Sequence, residues 1–279
     1  MPGDPPPGRG GRLVARYLML SALAAIVLFP VYVTIVDSLL RTDQIFARPP
    51  VLLPTNPQWG AYASAWSDGH LGRYLVNSAV VSTLIVGGQL GTSVLAGYAF
   101  AFLAFPFKRT LFVVFLATLM VPFEVTFVTN LTTVTDLGWY DTYAGLAVPF
   151  LATGFGAFLM RQAFLQLPRD LRDAASLDGY GHLRFLARVA LPLARPTVAA
   201  LTVFSFLSAW NQYLWPLLVT KDDRLRTVQI GLKQLRDQSL DRVGVPFAGV
   251  VIASVPLVVM LLVFQKQLVR GLTSGAVKG

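Results

Sequence analysis

No cysteine occurs in the chain, and histidine is confined to His70 and His182. The first absence excludes disulfides, zinc–thiolate centres and thiol redox chemistry, and the second leaves too few imidazoles for a histidine-based metal centre. There is no His-Glu-x2-His, no Gly-x-Ser-x-Gly and no Gly-x4-Gly-Lys-Ser/Thr, so the usual metallohydrolase, serine-nucleophile and nucleotide-phosphate devices are missing and no enzyme is expected. Charge is scarce too. Only 13% of residues are Asp, Glu, Lys or Arg against 54% hydrophobic ones, and mean hydropathy is +0.60, values that belong to an integral membrane protein.

Long stretches carry no charge at all: 17–36, 74–107, 142–160, 196–220 and 243–265, with 110–130 interrupted only by Glu124. A helix needs roughly 20 apolar residues to cross a hydrocarbon core about 30 Å thick. Backbone groups in lipid must pair within their own segment, and the alternation of a barrel strand is missing, so the reading is all-α with six transmembrane helices. Arg9, Arg12 and Arg16 precede the first apolar run as they would in a signal peptide. That run is longer than the usual 7–15 residues of such a segment, roughly, and no small-x-small site follows, so an uncleaved first span is expected.

Six spans put both termini on one side, which collects fourteen Lys and Arg; the other side holds nine. The loop acids number four and nine respectively. Positive-inside counting therefore places both termini and the 161–195 loop in the cytoplasm. The excess faces anionic lipid, and no nucleic-acid partner is implied.

Residues 1–11, rich in proline and glycine, read as a disordered tail, 12–270 as the transmembrane domain and 271–279 as a short terminal tail. Trp59, Tyr62 and Trp66 in the outer loop 38–73 suit a segment near the headgroups. The second span carries two small-x3-small pairs, Gly87/Gly91 and Ser93/Gly97, which let helices approach closely within this chain or between subunits. The outer loop 221–242, with Val228, Leu232 and Leu235 at helical spacing, is either a docking surface for an external protein or a solvated loop.

Between the fourth and fifth spans lies the polar segment 161–195. Pro168 and Asp170 suit a helix start. Leu171, Ala174 and Ala175 fall on one helical face, with Arg169, Arg172, Asp173 and Ser176 on the other. Gly179 breaks the helix. A second helix follows, with Leu183, Leu186, Ala187 and Ala190 against Arg184 and Arg188, and Leu191-Pro192 ends it. Such a helix–Gly–helix element is either a lever acting on the flanking spans or an ordinary interfacial loop.

Inside the apolar runs, Glu124 stands out: a charged carboxylate at mid-membrane costs about 3 kcal/mol even on lenient scales, so it lines the path, pairs or hydrogen-bonds within the bundle, or sits at the interface. Pro122 should kink the same span. Asn211, Gln212, Tyr213 and Trp215 set amides beside aromatic rings, a mixture suited to hydroxyl-rich solutes or, equally, to packing between helices. With Asn130 and Glu124 they make up the candidate translocation path.

The spacing Asp173-Ala174-Ala175-x3-Gly179-x9-Val189-x-Leu191-Pro192 resembles the cytoplasmic signature loop of permease subunits in ATP-binding-cassette importers, which usually reads Glu-Ala-Ala-x3-Gly-x9-Ile-x-Leu-Pro. The segments 95–101, 105–109, 119–122, 210–216 and 271–279 extend the likeness to the carbohydrate-type permeases of the maltose and glycerol-3-phosphate branch. Asp173 and Val189 depart from it, Asp173 by being one methylene shorter than the usual Glu. The resemblance implies the type I importer permease fold, with Asp173, Ala174, Ala175, Leu177, Gly179, Leu191 and Pro192 engaging a dimeric cytoplasmic ATPase. It also implies a homologous second permease, an extracytoplasmic solute-binding protein, and ATP and Mg held by the ATPase with no cofactor in this chain. A sugar, a polyol or a glycerophosphodiester would fit as cargo. The competing expectation is a stand-alone proton-coupled transporter using Glu124, although such carriers usually show repeated halves and none is visible here.

Overall fold

The computed structural model describes residues 9–276, and side chains over 13–267. Most of the expected tail 1–11 therefore lies outside the described residues, and the last three positions of the expected tail 271–279 do too. The helices are α1 (Arg9–Asp37), α2 (Thr42–Ile45), α3 (Gly60–Ser67), α4 (Leu71–Phe102), α5 (Lys108–Ala117), α6 (Phe123–Asp136), α7 (Tyr143–Ala147), α8 (Gly154–Leu165), α9 (Arg169–Leu177), α10 (His182–Phe185), α11 (Leu191–Leu193), α12 (Arg195–Trp210), α13 (Leu214–Val219), α14 (Val228–Gln238) and α15 (Gly244–Ala276). No strand occurs among the described residues.

Three stretches, Leu13–Asp37, Leu71–Phe102 and Gly244–Gln267, are each long and apolar enough to cross a membrane. Three further pairs qualify only as bent spans. Lys108–Met120 meets Phe123–Asp136 at 94°, Tyr143–Phe150 meets Gly154–Leu165 at 48°, and His182–Leu193 meets Arg195–Trp210 at 81°. Proline explains much of this. Pro122 caps α6 in extended conformation, where its ring and missing N–H stop α5 from running on. Pro196 occupies the first turn of α12, the one place in a helix where its missing donor is harmless. The fifth apolar run breaks again at residues 211–213, between α12 and α13.

The chain forms two compact units. The first combines the described residues up to His70 with Leu232–Ala253. Its core is Ala61, Ala65, Leu235, Val245 and Ala248, tied by Ser38 to the Tyr62 hydroxyl at 2.7 Å and by Arg242 Nη2 donating to Ser64 Oγ at 2.6 Å. Trp59 and Trp66 remain largely exposed. Along α1 almost every described side chain is exposed.

In the second unit, Leu71–Gly231 with the described residues from Ser254 on, α4 packs on α8 and α12. Hydrocarbon surrounds such helices, so burial of apolar area drives little association, and close approach carries it. Gly97 marks that approach: a Cβ there would lie 2.7 Å from Met160 Cβ and 2.8 Å from Arg161 N. Ser93, one turn away, abuts Gly156. The Ser93/Gly97 pair thus packs inside the chain, whereas a Cβ at Gly87 or Gly91 would meet nothing. Two apolar clusters follow: one of Tyr98, Met160, Phe164, Phe185, Leu186 and Leu201 with their neighbours, and one of Val81, Ile85, Leu146, Ala209, Trp215 and Val219.

Candidate functional site

The hairpin 169–193 is built by a helix stop that glycine makes possible. After α9 the Gly179 N–H donates to Ser176 O at 3.0 Å and the Tyr180 N–H to Ala175 O at 2.8 Å, the paired bonds of a Schellman end. Gly179 lies at φ +75°, a left-handed conformation that costs a side-chain-bearing residue roughly 1–2 kcal/mol. Only Ala175 of α9 is buried. Asp173 and Ala174 are exposed, Leu177 is 91% exposed and Leu183 75%. The hairpin therefore presents two large apolar side chains at its surface.

Two face assignments need correction. Arg172, placed by spacing on the face opposite Ala175, folds back and is half-buried. Its guanidinium sits 5.3 Å from the Phe185 ring centre and donates to Ser176 Oγ and to Tyr180 O. In the second arm the buried residues are Phe185, Leu186 and Ala190, while Leu183 and Ala187 are exposed. A π-helical turn over Leu186–Ala190 accounts for the exposure of Ala187, whereas Leu183 lies ahead of it in α10. Each i→i+5 bond accommodates an extra residue per turn and rotates the faces away from regular helical spacing. Leu191 and Pro192 are half-buried at the end of that turn, and the arm stops at Ala194. A cleft of about 650 Å³ beside α9 is lined by Phe102, Lys108, Arg169, Arg172 and Asp173 among others.

The candidate path residues scatter into different environments. Glu124, the sole glutamate of the chain, lies exposed in the first turn of α6, just past the 94° bend. Asn130 Nδ2 donates to Thr126 Oγ1 at 3.3 Å. Asn211 Nδ2 donates to Leu207 O at 2.8 Å, and its Oδ1 accepts from Gln229 Nε2 at 3.2 Å. Gln212 is half-buried, its Oε1 buried without a hydrogen-bond donor, and Tyr213 is half-buried beside it. Asn211, Gln212 and Gln229 thus meet at the break between α12 and α13; a lone glutamine outside the apolar runs gave no signal for Gln229.

Trp215 is a different case. It is 2% exposed, its indole N–H donates to Gly145 O at 3.0 Å, and the rings of Phe123, Phe127 and Phe150 enclose it with centroids 5.5–5.9 Å away. The structure makes it a packed anchor and does not bring it to an open surface.

Sequence reading also passed over Asn77. It is 3% exposed, donates to Arg224 O and Arg226 O at 2.8 and 2.9 Å, and accepts from the Tyr143 hydroxyl at 2.7 Å. An asparagine inside an apolar run was the available clue. In the same region Arg224 holds the Asp222 carboxyl down at about 2 through hydrogen bonds from its side chain and backbone N–H. Among the described residues no three His, Cys, Asp or Glu side chains gather as metal ligands would.

The described residues thus combine bent apolar spans with a polar hairpin on which Leu177 and Leu183 are exposed. The chain belongs to the family of binding-protein-dependent transport system inner membrane components, the permeases of ATP-binding-cassette importers, whose sequence profile matches residues 90–274. It is 38% identical over 270 residues to the sn-glycerol-3-phosphate transport system permease protein UgpE of Agrobacterium fabrum, covering 93% of this chain and 95% of that protein. The protein of the same name from Yersinia pestis is 34% identical over 276 residues, covering 95% and 97%. That from Rhizobium meliloti is 37% identical over 267, covering 92% and 94%. A crystal structure of a bacterial ABC transporter that imports the acidic polysaccharide alginate contains a chain with the same fold: TM-score 0.80, 22% identity, 94% of this chain and 99% of that one. The importer-permease expectation therefore holds over the stand-alone carrier, and the chain is a multi-pass, non-enzymatic component of a bacterial inner membrane.

Proposed function

We propose that this chain is one of two homologous permeases that carry sn-glycerol-3-phosphate, or a glycerophosphodiester built on it, into the cell by alternating access. The observation that carries the cargo assignment is the near full-length identity of 34–38% to permeases of that name in several bacteria. ATP and Mg bind a separate paired ATPase, which grips the hairpin from the cytoplasm, where both termini also lie. A solute-binding protein delivers the cargo from outside. The exposed Asp173, Ala174 and Leu177 form the surface the ATPase touches, Gly179 sets the hinge, and Ala175, Leu191 and Pro192 shape the hairpin from within. Nucleotide drives the cycle only by binding the inward-open and outward-open states unequally.

Glu124, Asn130, Asn211, Gln212 and Tyr213 line the path, with Trp215 as packing behind it. A carboxylate accepts hydrogen bonds from vicinal hydroxyls but repels phosphate, by about 4 kcal/mol per pair of unit charges 4 Å apart at an effective dielectric of about 20. Glu124 therefore receives the glycerol end, and cations elsewhere in the assembly receive the phosphate. Uptake of radiolabelled glycerol-3-phosphate by cells carrying the full transporter, with and without this chain, tests the assignment. Loss of that uptake on deletion is expected; intact glycerol-phosphate uptake with loss of a sugar's would overturn it.

A further inference from the structure

Tyr98 belongs to the Leu95–Ala101 run, where every other residue is Gly, Ala, Leu or Phe. Its ring is 4% exposed and packs against Phe102, Phe164 and Phe185 at centroid distances of 5.0, 6.1 and 6.4 Å. A phenylalanine would fill that space equally well. The hydroxyl is what differs, and it meets Nδ1 of His182 at 2.9 Å, with the two rings edge to face at 76°. His182 opens α10, the second arm of the hairpin, and is exposed. The bond thus joins a buried ring of α4 to the water-facing part of the hairpin across 84 residues of sequence.

The hairpin is covalently continuous with α8 and α12 only. α4, on which both of those helices pack, has no chain connection to it. Phe185 of the second arm closes the contact, edge to face with Phe102 at 5.5 Å, and Arg172 of the first arm lies over the same Phe185. Both arms therefore converge on the aromatic group at the end of α4. We propose that Tyr98 is a positioning residue: its hydrogen bond to His182 ties α4 directly to the hairpin, beside the packing of α4 on α8 and α12, so that a push on the hairpin reaches all three helices with less slip. The Tyr98 hydroxyl touches neither cargo nor nucleotide; it sets how much hairpin motion reaches the transmembrane helices.

The inference rests on the proposed coupling to an ATPase, and the test separates the two. The complete transporter is reconstituted in liposomes with its binding protein, and glycerol-3-phosphate uptake and ATP hydrolysis are measured in the same vesicles. Tyr98→Phe and His182→Ala should keep the ATPase bound and hydrolysing, while cargo moved per ATP falls about two- to tenfold, the range one hydrogen bond supports. The double variant should be no worse than the poorer single one. His182→Asn, which keeps a hydrogen-bonding atom near the Nδ1 position, should restore most of the loss. Unchanged cargo per ATP in Tyr98→Phe, or losses that simply add, overturns the proposal. If the wild-type chain retains no ATPase, the coupling reading fails instead. The tie is then judged on the full-length chain by amide hydrogen exchange over 182–190, which Tyr98→Phe must accelerate if the tie exists and leaves unchanged if it does not.

Discussion

One oxygen of Asp141, Oδ1, accepts the backbone N–H groups of both Lys221 and Asp222, at 2.6 and 2.9 Å, across about 80 residues of sequence. Asp141 itself lies at φ +53° and donates its own N–H to Val219 O at 3.0 Å. The turn after α6 is thereby pinned to the loop after α13. Asparagine tolerates the left-handed region and keeps the acceptor oxygen, so Asp141→Asn should cost little. Asp141→Leu removes the acceptor and strains the backbone, and should destabilise the chain by about 1–3 kcal/mol. The value falls at the low end where water reaches the freed Lys221 N–H. Thermal unfolding in detergent, with trypsin cleavage at Lys221 as a local probe, checks both variants; equal midpoints for Leu and wild type would contradict the pinning.

Trp215→Phe separates packing from transport. The smaller ring leaves a void among Phe123, Phe127 and Phe150, and Gly145 O loses its donor. Together these should lower stability by about 2–4 kcal/mol. The amount of protein inserted in the membrane should drop, while uptake per inserted molecule stays near wild type. A normal quantity of protein with slow uptake per molecule would put the indole back among the cargo contacts.

Much of this was legible in the sequence, because lipid imposes a coarse rule. Charge-free runs of span length yielded the helices, and Gly179 announced the helix stop, since a positive φ is what glycine uniquely permits cheaply. Pro122 likewise foretold the break before α6. What stayed hidden depends on contacts distant in sequence. The π-turn at Leu186–Ala190 has no periodic signature, so the faces of the second arm came out rotated. Arg172 looked like any exposed basic residue until Phe185 offered it a ring. Trp215 resembled a cargo platform because an aromatic beside amides reads alike whether it faces a path or the Gly145 carbonyl. The Tyr98–His182 bond joins residues that no local pattern could pair.

Gly179→Ala isolates the hinge. A Cβ there meets nothing within 4 Å, so the penalty is conformational, about 1–2 kcal/mol. The chain should still insert and fold, but the arms should reorient as the residue leaves the left-handed region. Retention of the ATPase on affinity-tagged chain should fall at least severalfold, with Gly179→Asn intermediate, because asparagine enters that region more readily. ATPase retention equal to wild type for the alanine variant would mean that the hinge geometry is not what the partner reads.

Glu124→Ala and Glu124→Gln test the path. The residue is exposed and, among the described residues, no hydrogen bond or ion pair depends on it, so neither substitution should shift stability by more than about 0.5 kcal/mol. A carboxylate receiving two hydroxyls of a glycerol moiety contributes about 1.5–3 kcal/mol per charged hydrogen bond, so the alanine variant should slow uptake about tenfold or more at saturating binding protein. Glutamine, which keeps one acceptor and loses the charge, should fall between. The charge term acts oppositely on the phosphate: were Glu124 close to that end of the cargo, removing it would raise uptake in both variants. Measured with assembly and ATP hydrolysis in parallel, slower uptake places the carboxylate beside the hydroxyls and faster uptake beside the phosphate, while an unchanged rate at normal protein amount takes Glu124 off the path.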